Sequence, residues 1–262
     1  MHPIEVGSCG WSYKDWSGVF YPKKTTAGDY LTYYAGHYAV VEVDSTFYHS
    51  PSPKLVLGWR DKTPETFGFS LKVPQEITHE RVLLDCAAEV SAFVSAARLL
   101  ENRLRCCLLQ FGYFNQKAFG RLDDFLGRLD PFLADWPKDV PLAVEIRNKN
   151  WMTQPFIDCL RSHNAVWALA DQAWVPSPLS LLDKFDPVTG SFAYVRLLGD
   201  RKAVDDLTPT LDHIVIDRAE QIKTDAQAIK QLGKRVPVLA FVNNHFAGYS
   251  PETIRMLLEE LK

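Results

Sequence analysis

Six stretches of the chain share one pattern, an apolar run followed directly by a polar cluster. They are Val40–Tyr48 (VVEVDSTFY), Phe67–Pro74 (FGFSLKVP), Cys106–Gly112 (CCLLQFG), Leu142–Arg147 (LAVEIR), Ala193–Gly199 (AYVRLLG) and Val238–His245 (VLAFVNNH). Short apolar runs of this kind read as buried strands. Adding 4–9 and 165–169 predicts eight strands, the others at 40–43, 67–72, 105–110, 142–146, 192–197 and 236–242. Helical spacing of apolar residues predicts helices near 25–37, 85–100, 117–133, 154–163, 219–232 and 251–261. Strands alternating with helices imply a parallel sheet with right-handed crossovers. With 262 residues and no linker or repeat, the prediction is an α/β fold in which residues 1–262 form a single (β/α)8 TIM-type barrel.

In such a barrel the active site gathers at the C-terminal ends of the strands, where the polar clusters fall. Alternation along each strand then selects the inward side chains. In LAVEIR, Leu142, Val144 and Ile146 suit the layer beneath the helices, so Ala143, Glu145 and Arg147 point inward. The same count turns Glu42, Asp44 and Thr46 inward from the second strand, and Gly68, Ser70 and Lys72 from the third. It adds Gln110 and Arg196, and Asn243 is preferred over Asn244. Asp171, at the end of the sixth strand, completes the set. Charged side chains are seldom fully buried unless paired, so this convergence either serves a ligand or pairs internally.

Composition narrows the classes. The chain is 47% apolar and 23% charged, with net charge −3 and no basic run longer than Lys23–Lys24. That balance argues against sequence-independent binding to a long nucleic acid, which needs a phosphate-neutralising patch. The five cysteines lack CxxC or Cys/His metal spacing, which suits a reducing compartment. The start MHPIEVGSCGW has no signal-like apolar region and no run reaches membrane-spanning length, so a cytoplasmic protein without membrane contact is expected. No G-x-S-x-G, G-x-G-x-x-G or P-loop motif occurs.

The runs GSCGWSYKDWSGVFYP (7–22), VEVDSTFYHSP (41–51), FSLKVPQEITH (69–79), AVEIRNKNW (143–151), YVRLLG (194–199) and FVNN (241–244) resemble the YecE-like family, a domain of unknown function. The resemblance covers nearly the whole chain in order. It implies a TIM-type barrel and carries no established reaction. It places site positions at Trp11, Tyr13, Glu42, Thr46, Tyr48, Lys72, Glu145, Arg147, Trp151 and Arg196. Three departures stand out. Asp44 replaces a usual Asn, Gln110-Phe-Gly-Tyr replaces a Gln-Leu-Pro-Pro type of turn, and Leu198 replaces a usual His.

Glu42 and Glu145 lie on opposite sides of the predicted barrel and suit an acid/base pair for glycoside-type cleavage. Ion pairing with Lys72, Arg147 or Arg196 is the competing role. Lys72 is either a nucleophile or an anion holder, and the two arginines suit carboxylate or phosphate. Trp11, Tyr13, Tyr48 and Trp151 are expected as pocket walls. Glu42, Glu145, Asp171, His79 and His245 are potential metal ligands, but histidines are too few at strand ends for a dedicated site. The expectation is therefore an enzyme without metal or organic cofactor. It would cleave a small anionic or sugar-containing substrate by carboxylate general acid/base chemistry. The alternative is a non-catalytic binding protein on the same scaffold, a small-ligand sensor or a nucleic-acid-associated factor.

Overall fold

The eight predicted strands are present in the computed structural model, which describes residues 1–262. They are β1 (Ile4–Ser8), β2 (Val40–Val43), β3 (Gly68–Lys72), β4 (Leu104–Gln110), β5 (Leu142–Glu145), β6 (Val166–Gln172), β7 (Ala193–Gly199) and β8 (Val238–Val242). All ladders are parallel, and the order β1-β8-β7-β6-β5-β4-β3-β2 wraps into a nearly closed TIM-type barrel. The helices are α1 (Tyr30–Ala35), α2 (Pro53–Asp61), α3 (Ala87–Arg98), α4 (Leu122–Asp135), α5 (Gln154–Ser162), α6 (Pro178–Leu182), α7 (Arg201–Asp205), α8 (Ala219–Gly233) and α9 (Ser250–Leu261). No helix is long and apolar enough to cross a membrane.

The barrel closes between β1 and β2 by a single parallel bridge, Cys9 to Glu42, with the Gly10 N–H donating to Glu42 O at 2.7 Å. Below that bridge a side chain replaces the missing ladder. The buried Tyr34 hydroxyl of α1 accepts the Ser8 N–H at 2.8 Å and donates to Val40 O at 3.2 Å. Gly7 is required here, since a Cβ would lie 1.9 Å from Val40 O.

Apolar packing fills two places. The large core lies between sheet and helices and includes Phe69, Phe93, Phe125, Phe156 and Trp167. A second cluster, with Val40, Leu108, Ala143, Ala168, Tyr194 and Phe241, occupies the barrel lumen. The lumen is therefore solid, and space for a ligand exists only above it.

Several features depart from the sequence reading, among them the short helices α6 and α7, where no helix was expected. Helix α2 was not anticipated between the second and third strands; Ser52 caps it by accepting the Leu55 N–H at 3.3 Å, with Pro53 at its first position. The predicted helix at 25–37 shrinks to Tyr30–Ala35. Strand β6 runs three residues beyond Leu169, with a register shift at Asp171/Gln172.

Candidate active site

Arg196 is the centre of the barrel mouth. Only 2% exposed, it rises from β7 between two carboxylates that are wholly buried. Its Nε donates to Glu42 Oε2 at 2.9 Å and its Nη2 to Glu42 Oε1 at 2.5 Å, a fork-to-fork pair. Its Nη1 donates to Glu145 Oε2 at 2.5 Å. The Tyr194 hydroxyl adds a bond to Glu42 Oε2 at 2.6 Å and accepts in turn from Ser70 Oγ at 2.7 Å. Burial pushes the Tyr194 and Cys9 pKa values far up, so both remain protonated beside Glu42. Against the cost of burial, the Arg196 guanidinium holds the Glu42 carboxyl below its ordinary value.

Above this sealed network lies an open cup of about 500 Å³. Tyr13, Asp44, Lys72, Gln110, Arg147 and Asn243 line it together with Arg196, so seven residues chosen from the sequence meet in one cavity. Lys72 enters no ion pair; its ammonium lies over the Phe47 ring, 4.0 Å from the centroid. Burial and the Arg196 charge lower its pKa despite the neighbouring carboxylates. Thr46 sets the height of Lys72, since its hydroxyl reaches the Lys72 carbonyl at 2.6 Å and ties the end of β2 to β3. Asp44 Oδ1 has no hydrogen-bond partner and sits 3.5 Å from Arg196 Nη2. Burial and the Glu42 charge push its carboxyl up to about 6. Arg147 meets Glu145 Oε1 only through Nε, at 3.3 Å. Its two terminal nitrogens remain available.

Other expected residues lie elsewhere. Glu42 and Glu145 sit beneath the cup and do not line it, with Arg196 between them. Asp171 points outward from β6 and meets Asp225 of α8; inward alternation belongs instead to Ala168, Ala170 and Gln172, of which Gln172 lines the cup. Trp11 packs edge-on against Trp59 and Phe69, at 5.7 and 6.4 Å. It covers α2, the helix that the sequence reading lacked. Trp151 stacks on Phe114 and Phe125 over α4, and Tyr48 is 62% exposed outside the cup. Those three aromatic side chains are not walls of this cavity.

Sequence reasoning also missed several residues. Gln172, Trp174 and Arg201 line the cup, and so does His245, which the sequence offered only as a potential metal ligand. Thus the mouth still holds an imidazole, supplied by the end of β8, although Leu198 stands where the family's His is usual. His245 Nδ1 faces Asn243 Oδ1 at 2.9 Å and Nε2 faces Asp205 Oδ1 at 3.2 Å. Burial lowers its pKa. Trp174 and Arg201 lie past the strand ends, where alternation does not reach.

Donor atoms of Cys9, Glu42 and Asp44 converge within 4.8 Å. Both oxygens of Glu42 are already occupied by Arg196 and Tyr194, and the guanidinium supplies the positive charge a metal ion would bring. The trio therefore suits an organic cation from the protein itself better than a divalent ion. A further groove of about 580 Å³ lies between α3 and α4, on the outer face of the barrel and not at the strand ends.

The family described as "Protein of unknown function DUF72" matches residues 5–262. The UPF0759 protein YunF of Bacillus subtilis is 32% identical over 166 residues, 59% of this chain and 54% of that protein. The UPF0759 protein YecE of Escherichia coli K12 is 29% identical over 151 residues, 58% of this chain and 51% of that protein. The chain thus spans about half the length of these curated relatives. A crystal structure of a DUF72 family protein from Thermotoga maritima superposes with a TM-score of 0.77 and 26% identity, covering 98% of this chain and all of that one.

Proposed function

This chain belongs to the DUF72 family, and on that premise we propose that it is an enzyme cleaving a small anionic or sugar-containing molecule in the cup. The observation that carries this reading is the contrast within the charged set. Arg196 is engaged by Glu42, Glu145 and, at 3.5 Å, Asp44 Oδ1, whereas Lys72 faces the cavity in no ion pair.

The roles follow from that contrast. Lys72 and the free nitrogens of Arg147 hold the negative group of the substrate, because an unpaired buried cation gains most from an anion. Asp44, with a pKa of about 6, exchanges a proton with the substrate near neutral pH, where a general acid or base works best. Glu42 and Glu145 position Arg196 and fix the electrostatic floor of the cup. This moves the acid/base role from the two glutamates to Asp44, since a carboxylate with both oxygens bonded and no access to the cavity cannot reach a substrate proton.

The test uses the intact chain with a panel of sugar phosphates, binding followed by calorimetry and products by phosphorus NMR. Lys72→Met is expected to weaken binding of whichever compound binds, by about tenfold or more. Asp44→Asn is expected to bind that compound and lose turnover by about 10²-fold or more. Undiminished turnover in Asp44→Asn, or failure of every anion to bind, overturns the reading.

A further inference from the structure

A second cleft of about 490 Å³ opens beside the cup, between the loops that follow β4, β5 and β6. The two cavities share Arg147, Gln172, Ala173 and Trp174, so they lie side by side. Two large rings edge the second cleft, and both are left in solvent: Tyr113 is 72% exposed and Trp174 is 90% exposed. Trp174 has a φ of 76°, a left-handed backbone that a bulky side chain rarely adopts. Such conformations persist where surrounding structure enforces them, and they cluster at ligand clamps. Lys149 adds a second cation; it is exposed, enters no ion pair and lines the same cleft as Arg147.

We propose that this cleft is a stacking subsite for a planar heteroaromatic ring, and that the ligand spanning both cavities is a mononucleotide. The inference rests on the reading of the cup as a sugar-phosphate site and names the class within it. A sugar phosphate held at the cations of the cup leaves Tyr113 unused. A nucleotide places its phosphate at Lys72 and Arg147, its ribose across Gln172, and its base against the rings of Trp174 and Tyr113. Base–aromatic stacking tolerates any base, because each has a π-face. Lys149 and Arg147 favour the electron-rich face and anionic charge of such a ligand. The net charge of −3 fits a single nucleotide better than a strand.

The experiment titrates the intact chain with AMP, CMP and ribose 5-phosphate, each followed by calorimetry. AMP and CMP are expected to bind at least about fivefold tighter than ribose 5-phosphate. Tyr113→Ala, at a ring that lines the second cleft and not the cup, should reduce that advantage and leave ribose 5-phosphate binding unchanged. Equal affinity for all three compounds overturns the ring subsite while leaving the cup reading intact. Nucleotide binding that is unaffected by both Trp174→Ala and Tyr113→Ala also overturns it. Loss of every affinity in the Lys72→Met variant alone, with the nucleotide advantage present in the unmodified chain, supports both the cup and the subsite. Binding of a single-stranded oligonucleotide more than about tenfold tighter than AMP, weakening steeply with salt, overturns the mononucleotide assignment in favour of a strand.

Discussion

Arg196 binds Glu42 through two nitrogens and Glu145 through a third, in a place from which water is shut out. A buried ion pair of this kind contributes little net stability compared with apolar residues, but breaking it leaves uncompensated charge. Arg196→Met should therefore destabilise the protein by about 3–5 kcal/mol, read from urea unfolding. Arg196→Lys should recover only part of the loss, since an ammonium cannot serve two carboxylates with a planar fork. A loss under about 1 kcal/mol for Arg196→Met would show that the glutamates are readily rehydrated or protonated. Much of this residue scale was legible beforehand. Alternation alone turns Glu42, Asp44, Lys72, Gln110, Glu145, Arg147 and Arg196 inward, because strand geometry leaves only two choices, while for the eighth strand it leaves Asn243 and Asn244 both open. It could not tell which cation would be saturated, since that depends on heights above the lumen. Asp171 joins that set only by its place at the end of the sixth strand. Its partner, Asp225, sits among Ile222, Ala226 and Ile229 on the buried stripe of α8, and that misplaced charge on an apolar face was the available warning.

At the scale of elements, the weakest seam of the barrel is the one between β1 and β2, where one side chain stands in for a ladder. The Tyr34 hydroxyl serves the Ser8 N–H and Val40 O, and Ser8 Oγ also reaches it at 2.8 Å. Tyr34→Phe leaves a buried N–H without an acceptor, a cost of about 1–3 kcal/mol. The Ser8 amide should then exchange faster with solvent while amides of β6 and β7 stay protected; uniform change across the sheet would refute a local seam. Strand existence was legible because each apolar run is bounded by polar clusters. Helix α2 was overlooked although Ser52-Pro53 is a helix-start signal, and Val56 and Trp59 mark its buried face. Its omission also misplaced Trp11, whose ring looked available for a ligand only because nothing had been drawn beneath it. The loops that carry Tyr113 and Trp174 have no periodicity, so their convergence on one cleft could not be derived from spacing.

For the whole molecule, the pair Asp171–Asp225 behind β6 makes folding depend on pH in an unusual direction. Burial, and then the Asp171 charge, raise the Asp225 carboxyl to about 9, far above its ordinary value of 3.8. The folded chain therefore holds a proton that the unfolded chain releases near pH 4. Stability is fullest below that point and falls as pH rises toward 9, where the folded state also loses the proton. Asp44 acts in the same sense up to about pH 6, while His79 and His245, with lowered pKa values, act in the opposite sense around their ordinary value of 6.5. Above pH 7 the histidines drop out. Toward pH 9 the buried thiols of Cys9, Cys106 and Cys107, raised above their ordinary value of 9.0, act in the same sense as Asp225. Asp225 is therefore read from the difference between variant and unmodified chain. Asp225→Asn removes the titrating proton and sets a neutral amide beside Asp171 at every pH. Its melting temperature should match the unmodified chain near pH 5 and exceed it by a growing margin toward pH 9. Parallel curves across that range would mean that Asp225 is ionised in the folded state and that another cation neutralises the pair. Because Asp171 immediately precedes the Gln172-Ala173-Trp174 segment at both cavities, the same variant also separates the two ends of β6. A stabilised chain with unchanged AMP affinity would establish that the outward carboxyl pair holds the barrel together without setting the geometry of its mouth.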